Sequence, residues 1–212
     1  MVVVDTGHDR RTGLRERKKQ ETRLALSWAA IRLTVERGLD DVRVEDIAAE
    51  VGVSPRTFNN YFSGKGEAIA ARHLERARKI AVELRARPAS EPLWEAIPNA
   101  VVAQFSLGEK VEDKHMTDEQ WIAGVRLMVA EPALQGELSK ANAAAEAELA
   151  AAVAERTGTD AARDLYPRLV AGAVGSTIAV VIEHWLHADP PVPIMSLLLD
   201  ALDRLSAGLP VP

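Results

Sequence analysis

Apolar residues recur along this chain at three- and four-residue spacing, the period of a helix packed on one side. Leu24, Ala25, Trp28, Ile31 and Val35 mark such a stripe and predict a helix from about Glu16 to Arg37, stopped by Gly38. Val44, Ile47, Ala48 and Val51 give a second helix, over 44–51, one apolar face. Gly52 can take the left-handed conformation that ends it. Ser54 then offers an N-cap oxygen and Pro55 suits a first helical position, which opens a third helix over 55–61. Phe58 and Phe62 are four apart and share that helix's inner side. A fourth helix is expected from Gly64-Lys65 to about Arg85, before Pro88 and Pro92.

The later pattern continues in the same style. A helix from Leu93 to near Gly108 should be bent or broken at Pro98. A charged loop over 109–116 precedes Thr117-Asp118-Glu119-Gln120, which reads as a capping box for a helix to about Ala130. Pro132 opens a long Ala- and Glu-rich helix ending at Thr157-Gly158. Another spans about Asp160 to Ala188, and the last runs from Pro193 to Ala207 with Gly208 as its stop. No alternating Val/Ile/Thr segment argues for a strand. The expected fold class is therefore all-α. Residues 1–15 read as a mobile basic arm, 16–65 as a small helix-turn-helix domain, and 66–212 as a larger helical domain.

Charge sharpens this division. The net charge of −5 hides 16 Lys and Arg against 12 Asp and Glu in residues 1–80, and 10 against 19 in the rest. A basic small domain beside an acidic larger one suits a DNA-facing end. Arg10, Arg11, Arg15, Arg17, Lys18 and Lys19 add positive charge that could meet phosphates or a minor groove. With the apolar stripe of the third helix fixed by Phe58 and Phe62, Arg56, Thr57, Asn59 and Asn60 point elsewhere. They are residue types that hydrogen-bond to base edges and phosphates. Two short helices around a glycine turn, the second with such a face, form the helix-turn-helix arrangement for the major groove.

The run Val-Glu-Asp-Ile-Ala-Ala-Glu-Val-Gly-Val-Ser-Pro-Arg-Thr-Phe-Asn-Asn-Tyr-Phe-Ser-Gly-Lys, together with Ala29-Ala30-Ile31-Arg32-Leu33 and Glu36-Arg37-Gly38, resembles the N-terminal domain of TetR-type transcriptional regulators over about residues 18–70. The resemblance implies an all-α homodimer with an N-terminal DNA-binding domain and a larger domain for ligand binding and dimerisation. It implies a near-palindromic double-stranded DNA operator as partner. It adds Thr22, Ser54, Tyr61 and Lys65 as contacts to the DNA backbone, and Arg43 and Pro55 flank the same surface. Three positions depart from the family pattern: Arg43 where Thr or Ser usually caps the second helix, Asn59 where an aromatic is usual, and Thr34 in place of a common core aromatic.

On the penultimate helix, Ala171, Gly172, Gly175, Ser176 and Ala179 place small residues close together. On the last, Leu197, Leu198, Ala201, Leu202 and Leu205 form an apolar stripe. In TetR-type regulators the last two helices form half of an intersubunit four-helix bundle, so Gly172, Gly175, Ala179, Leu198 and Leu202 are expected at a dimer interface. The segment Ala154-Glu155-Arg156-Thr157-Gly158, with Trp185-Leu186 and the terminal Leu-Asp-Arg-Leu-Ser-Ala-Gly-Leu, is also similar to the C-terminal domain of mycofactocin-type regulators.

Apolar pockets between helices are common ligand sites in bundles. Trp94, Phe105, Met116, Trp121, Val125, Met128 and Trp185 are the candidate lining for a small hydrophobic effector, with Glu183 and His184 beside Trp185. The mycofactocin-type resemblance adds an acyl-thioester as one candidate, whose charged carrier Arg126 and Arg168 could meet. Catalytic signals are missing from the pattern: there is no phosphate-binding glycine loop, no cysteine, and no third ligand near His184 and His187. No cofactor and no metal are expected. Without a secretory signal, and with Ile178–Ile182 too short to span a bilayer, a cytoplasmic protein without membrane contact is expected. The reading is a ligand-responsive repressor. The alternatives are an activator or ligand-independent regulator and, in another class, a helical interaction protein or enzyme with a vestigial motif.

Overall fold

A computed structural model describes residues 6–110, 118–189 and 192–211, with side chains from Arg15 onward except those of 105–110, 118–119 and 121. Nine α-helices and one short 3-10 turn, and no strand, occur among the described residues. The helices are α1 (Thr6–Arg37), α2 (Val44–Val51), α3 (Pro55–Asn59), α4 (Lys65–Ala86), α5 (Leu93–Lys110), α6 (Asp118–Ala130), α7 (Gln135–Thr157), α8 (Leu165–Leu186) and α9 (Ile194–Ser206). The 3-10 turn, Pro132–Leu134, precedes α7. Packing divides the chain into two compact units, Met1–Arg72 and His73–Pro212. The division falls inside α4, seven residues beyond the boundary expected at 65/66.

Three sequence expectations shift. Helix α1 begins at Thr6 rather than near Glu16, so most of the segment read as an arm is helical backbone. Helix α5 passes through Pro98 without a break. As the sixth residue of α5, Pro98 lies past the first turn, so it gives up the bond its N–H would make to Trp94 O and crowds that carbonyl. Helix α8 starts at Leu165, because Asp160 is used in a turn: its carboxylate accepts from Ala162 N at 2.8 Å, and Asp164 Oδ2 accepts from Asp160 N at 2.7 Å. Thr117 of the expected capping box lies outside the described residues.

The first unit is built on a small dry core. Leu26, Ala30, Leu33, Ile47, Phe58, Phe62 and Ile69 are fully or almost fully buried. Two hydroxyls sit among them without a desolvation cost, because each has a carbonyl partner. Thr34 Oγ1 donates to Ala30 O at 2.7 Å, and Ser27 Oγ donates to Ala68 O. Thr34 thus fills an aromatic's usual place by satisfying its one donor within its own helix. Arg72 lies 4.1 Å over the Trp28 ring. Arg32 pairs with Glu50, and its guanidinium holds that carboxyl below the ordinary carboxylate range.

The second unit packs α7 on α8, α8 on α9 and α5 on α9. Its core joins Ile80 and Leu84, Ile97 and Val101, Leu149 and Val153, Val170 and Val174, and Leu198 and Leu202. Arg78 pairs with Glu148 at 3.2 Å and Arg85 with Glu155 at 2.8 Å, so α4 and α7 run in the same direction. The corner after α4 is held from α7. Arg156 donates Nη1 to Leu84 O (3.2 Å) and Arg87 O (3.0 Å), and Nη2 to Pro88 O (3.0 Å) and Glu91 O (2.8 Å). Leu84 O is among the carbonyls that a helix C-terminus leaves without intrahelical partners, Pro88 O also accepts from Glu91 N at 3.1 Å, and a guanidinium there favours the negative end of the dipole. Glu91 accepts both prongs of Arg87 at 2.6 Å and the Asn99 amide at 2.8 Å. Its carboxyl is pushed down to about 2, by the Arg87 bonds first.

Candidate nucleic-acid interface

Helix α2 ends where the sequence predicts. Gly52 adopts φ 73°, ψ 30°, and its N–H reaches back to Ala48 O and Ala49 O. The α2 start is different from the family pattern. Arg43 occupies the N-cap, and a guanidinium has no lone pair with which to cap. Asp46 supplies only the reciprocal half of a capping box: its Oδ2 accepts from Arg43 N at 2.9 Å. The Arg43 side chain is left exposed beside the recognition helix.

Helix α3 is capped as expected. Ser54 Oγ accepts from Thr57 N at 3.1 Å and shares a 2.9 Å hydrogen bond with Thr57 Oγ1. Pro55 stands at the first helical position. Phe58 is fully buried and its ring centroid lies 5.6 Å from that of Phe62. The helix proper ends at Asn59, two residues earlier than expected, with Asn60 as its C-cap and Tyr61 in the turn that follows.

The outer side of α3 carries Arg56, Asn59 and Asn60, all exposed. Among the described residues, none of these three side chains has a hydrogen-bond partner. Thr57 differs, since its hydroxyl is engaged at the cap. Arg43, Pro55, Asn59 and Lys65 line one open depression together with Asp40, Val42, Val44 and Glu45. The structure therefore gathers Arg43, Ser54, Pro55, Arg56, Asn59 and Asn60 on one surface, with Tyr61 half-buried at its edge.

Besides Ser54, which caps α3, two more of the expected backbone contacts have work inside the protein. Thr22 Oγ1 donates to Lys18 O at 2.9 Å, within α1. Lys65 Nζ donates to Leu39 O and, at 2.9 Å, to Val42 O. An ammonium has three donors, so this side chain staples the α1–α2 loop and retains one N–H at most for a phosphate. Sequence reasoning could not see this, because the acceptors are main-chain atoms more than twenty residues away.

Residues 28–71 match the family described as bacterial regulatory proteins, tetR family, and residues 91–210 match the one described as MftR C-terminal domain. The chain belongs to the TetR family of bacterial transcriptional regulators. Its sequence is 31% identical over 199 residues to the HTH-type transcriptional regulator TcmR of Streptomyces glaucescens, covering 93% of this chain and 88% of that one. Among solved structures it resembles Thermus thermophilus FadR, a transcriptional repressor in complex with lauroyl-CoA (TM-score 0.57, 18% identity, 90% of this chain and 96% of that one). It also resembles SmeT, the repressor of a Stenotrophomonas maltophilia multidrug efflux pump, in a complex with triclosan (TM-score 0.57, 18% identity, 91% and 98%).

The remaining TetR-type expectations fall on the second unit. Trp94 on α5 is half-buried and packs on the core; Val125 and Met128 lie on α6, buried and half-buried, and Trp185 is half-buried on α8. The side chains of Phe105 and Trp121, and all of Met116, lie outside the described residues. Arg126 and Arg168 are exposed, as are Glu183 and His184.

The expected dimer residues fall in different surroundings. Leu198 and Leu202 are 0% and 1% exposed and pack in the chain's own core, while Leu197, Ala201 and Leu205 of the same stripe are half-buried. Gly175 is half-buried and faces α7: a Cβ there would make ordinary contact, at 3.8 Å, with the exposed Glu146 side chain. Gly172 faces open space, and Ala179 is exposed. The sequence missed the larger outward residues of the same face, Leu165 (68% exposed), Leu169 (58%) and Val180 (64%). They stand seven and three residues before Gly172 and eight after it, on one side of α8. By length and hydropathy α8 could also cross a membrane. Its apolar residues are instead divided between that outward side and a core side of Val170, Ala171, Val174 and Val181.

Proposed function

We propose that this TetR-family protein is a homodimeric, ligand-responsive repressor acting in the cytoplasm, released from a near-palindromic operator by a small hydrophobic effector. The observation that carries the DNA reading is the outer side of α3. Three exposed, unengaged polar side chains sit on a one-turn helix that is capped at Ser54 and anchored by two buried phenylalanines. A major groove offers donors and acceptors to such a face. Arg56, Asn59 and Asn60 are assigned to base edges or adjacent phosphates, with Arg43 reaching the backbone. A duplex selected from random sequence by the full chain tests this. Arg56→Ala and Asn60→Ala should each weaken binding to it by about 1–3 kcal/mol, relax selectivity at one base position and leave the melting temperature unchanged. Unaltered binding by both variants would remove the assignment.

The support for an effector is the family's second domain and two fold neighbours solved with ligands that carry an apolar portion, lauroyl-CoA and triclosan. Trp94, Val125, Met128 and Trp185 are the side chains we assign near the ligand, with an acyl-thioester as one candidate class and Arg126 and Arg168 for its charged carrier. A ligand can release DNA only through its differential affinity for the two states. The dimer reading rests on the outward side of α8, where Leu165, Leu169 and Val180 flank Gly172. Burying such residues is worth roughly 1.5–3 kcal/mol each. Gly172→Arg should raise the dissociation constant of the dimer at least about 100-fold, read by sedimentation equilibrium, because a long charged side chain would sit at the contact. Gly175→Arg, aimed at Glu146 of the same chain, should leave assembly near that of the parent. The reverse ranking of the two variants would place the interface elsewhere.

A further inference from the structure

Helix α3 spans five residues, far too short to persist by its own hydrogen bonds. Its orientation must come from ties to the rest of the unit. The N-terminal tie is Ser54 and the lateral one is the Phe58–Phe62 pair. A third tie lies at the C-terminal end and comes from Arg23 of α1. Arg23 Nη1 donates to Tyr61 O at 3.0 Å, and its Cζ stands 4.5 Å from the centroid of the Phe62 ring. No backbone N–H of the described residues donates to Tyr61 O.

We infer that Arg23 is a positioning residue for operator recognition, acting by fixing the main chain that carries Asn59, Asn60 and Tyr61. Three observations separate this role from a phosphate contact. The side chain is half-buried. One of its nitrogens is committed to a carbonyl 38 residues away. Its charged plane rests on Phe62, which is 2% exposed and packed into the core. A guanidinium suits this use because its planar fork can donate and stack at once, whereas an ammonium can do each only as a point charge. Freed from the tie, the turn at 60–62 could swing. A base contact depends on placement to within a fraction of an ångström, while a phosphate contact tolerates more.

The inference rests on the DNA-binding reading, and the experiment keeps the two apart. The full-length parent, Arg23→Met and Arg23→Lys are compared on the selected duplex and on a scrambled duplex, across a range of salt concentrations, with thermal melts. Methionine keeps an apolar stem and removes the donor and the charge. Arg23→Met should bind the selected duplex about tenfold more weakly. Its affinity for the scrambled duplex should stay at the parental value, as should the slope of log K against log salt. Arg23→Lys should recover part of the loss. A merely structural lesion would lower the melting temperature and depress both duplexes together. A slope reduced by about 0.9 with equal loss on both duplexes would make Arg23 a phosphate contact. Either result overturns the inference, as does parental affinity for the selected duplex in Arg23→Met. If Arg23→Met does not fold, Arg23→Lys carries the test, since its intermediate loss must be confined to the selected duplex. A parent that does not distinguish the two duplexes would sink the DNA-binding reading itself, and Arg23 with it.

Discussion

Phe58→Ala should cost the first unit about 3–5 kcal/mol, the range for emptying a fully buried aromatic site. Phe58 is 0% exposed and lies on Phe62 with the two rings tilted by 50°. Removing it leaves α3 with a capped start and without the one side chain of its own that reaches the core. Operator binding should therefore vanish together with the folded state of this unit, seen as lost helical circular dichroism well below the parental melting temperature. Asn60→Ala is the matched control, since it removes a surface amide and should lose selectivity without loss of structure. If Phe58→Ala kept parental melting and operator affinity, the core described for this unit would be wrong.

The second large effect is expected at Arg156. Alanine there strips four carbonyls at the α4–α5 corner of their charged donor at once. Hydrogen bonds to charged groups contribute about 1.5–3 kcal/mol each, but water can reach this half-exposed corner and replace part of that. A net loss of about 3 kcal/mol is expected, which lowers the melting temperature by roughly 6–12 °C for a chain of this size. Arg156→Lys should recover little, because one ammonium cannot span four acceptors on two sides. A melting temperature for Arg156→Ala within a degree or two of the parent's would mean that water serves these carbonyls equally well.

Local chemistry was legible in the sequence and distant geometry was not. Gly52 and Ser54 act through neighbours within a few residues, so their roles as stop and cap could be read directly, and the structure places both as read. Family membership was likewise carried by a contiguous run. Arg156 and Lys65 act on carbonyls brought near only by folding, and nothing local distinguishes them from solvated cations. Periodicity left a different question open at Leu198 and Leu202, both buried within the chain. An apolar stripe shows that one side of a helix is covered, but not whether the cover is the same chain or another. Gly172 and Gly175 show the same limit for small residues. They are three apart, so they lie about 60° from one another around α8, and only one of them meets α7. The start of α1 was missed because a polar, charged segment with two glycines lacks the stripe by which helices were recognised.

The division of labour within residues 54–62 bears on how such a protein changes over time. Ser54, Thr57, Phe58 and Phe62 hold the turn together, through the cap and the core. The side chains of Arg56, Asn59 and Asn60 hydrogen-bond to nothing among the described residues. Substitutions at these three positions can accumulate with little penalty to folding, so descendants or laboratory libraries can acquire new target sequences on an unchanged scaffold. The same arrangement explains how Asn59 can stand where an aromatic is usual. If Asn59 reads DNA as proposed, a position that carries no structural burden can be rewritten by whatever DNA the lineage has come to control.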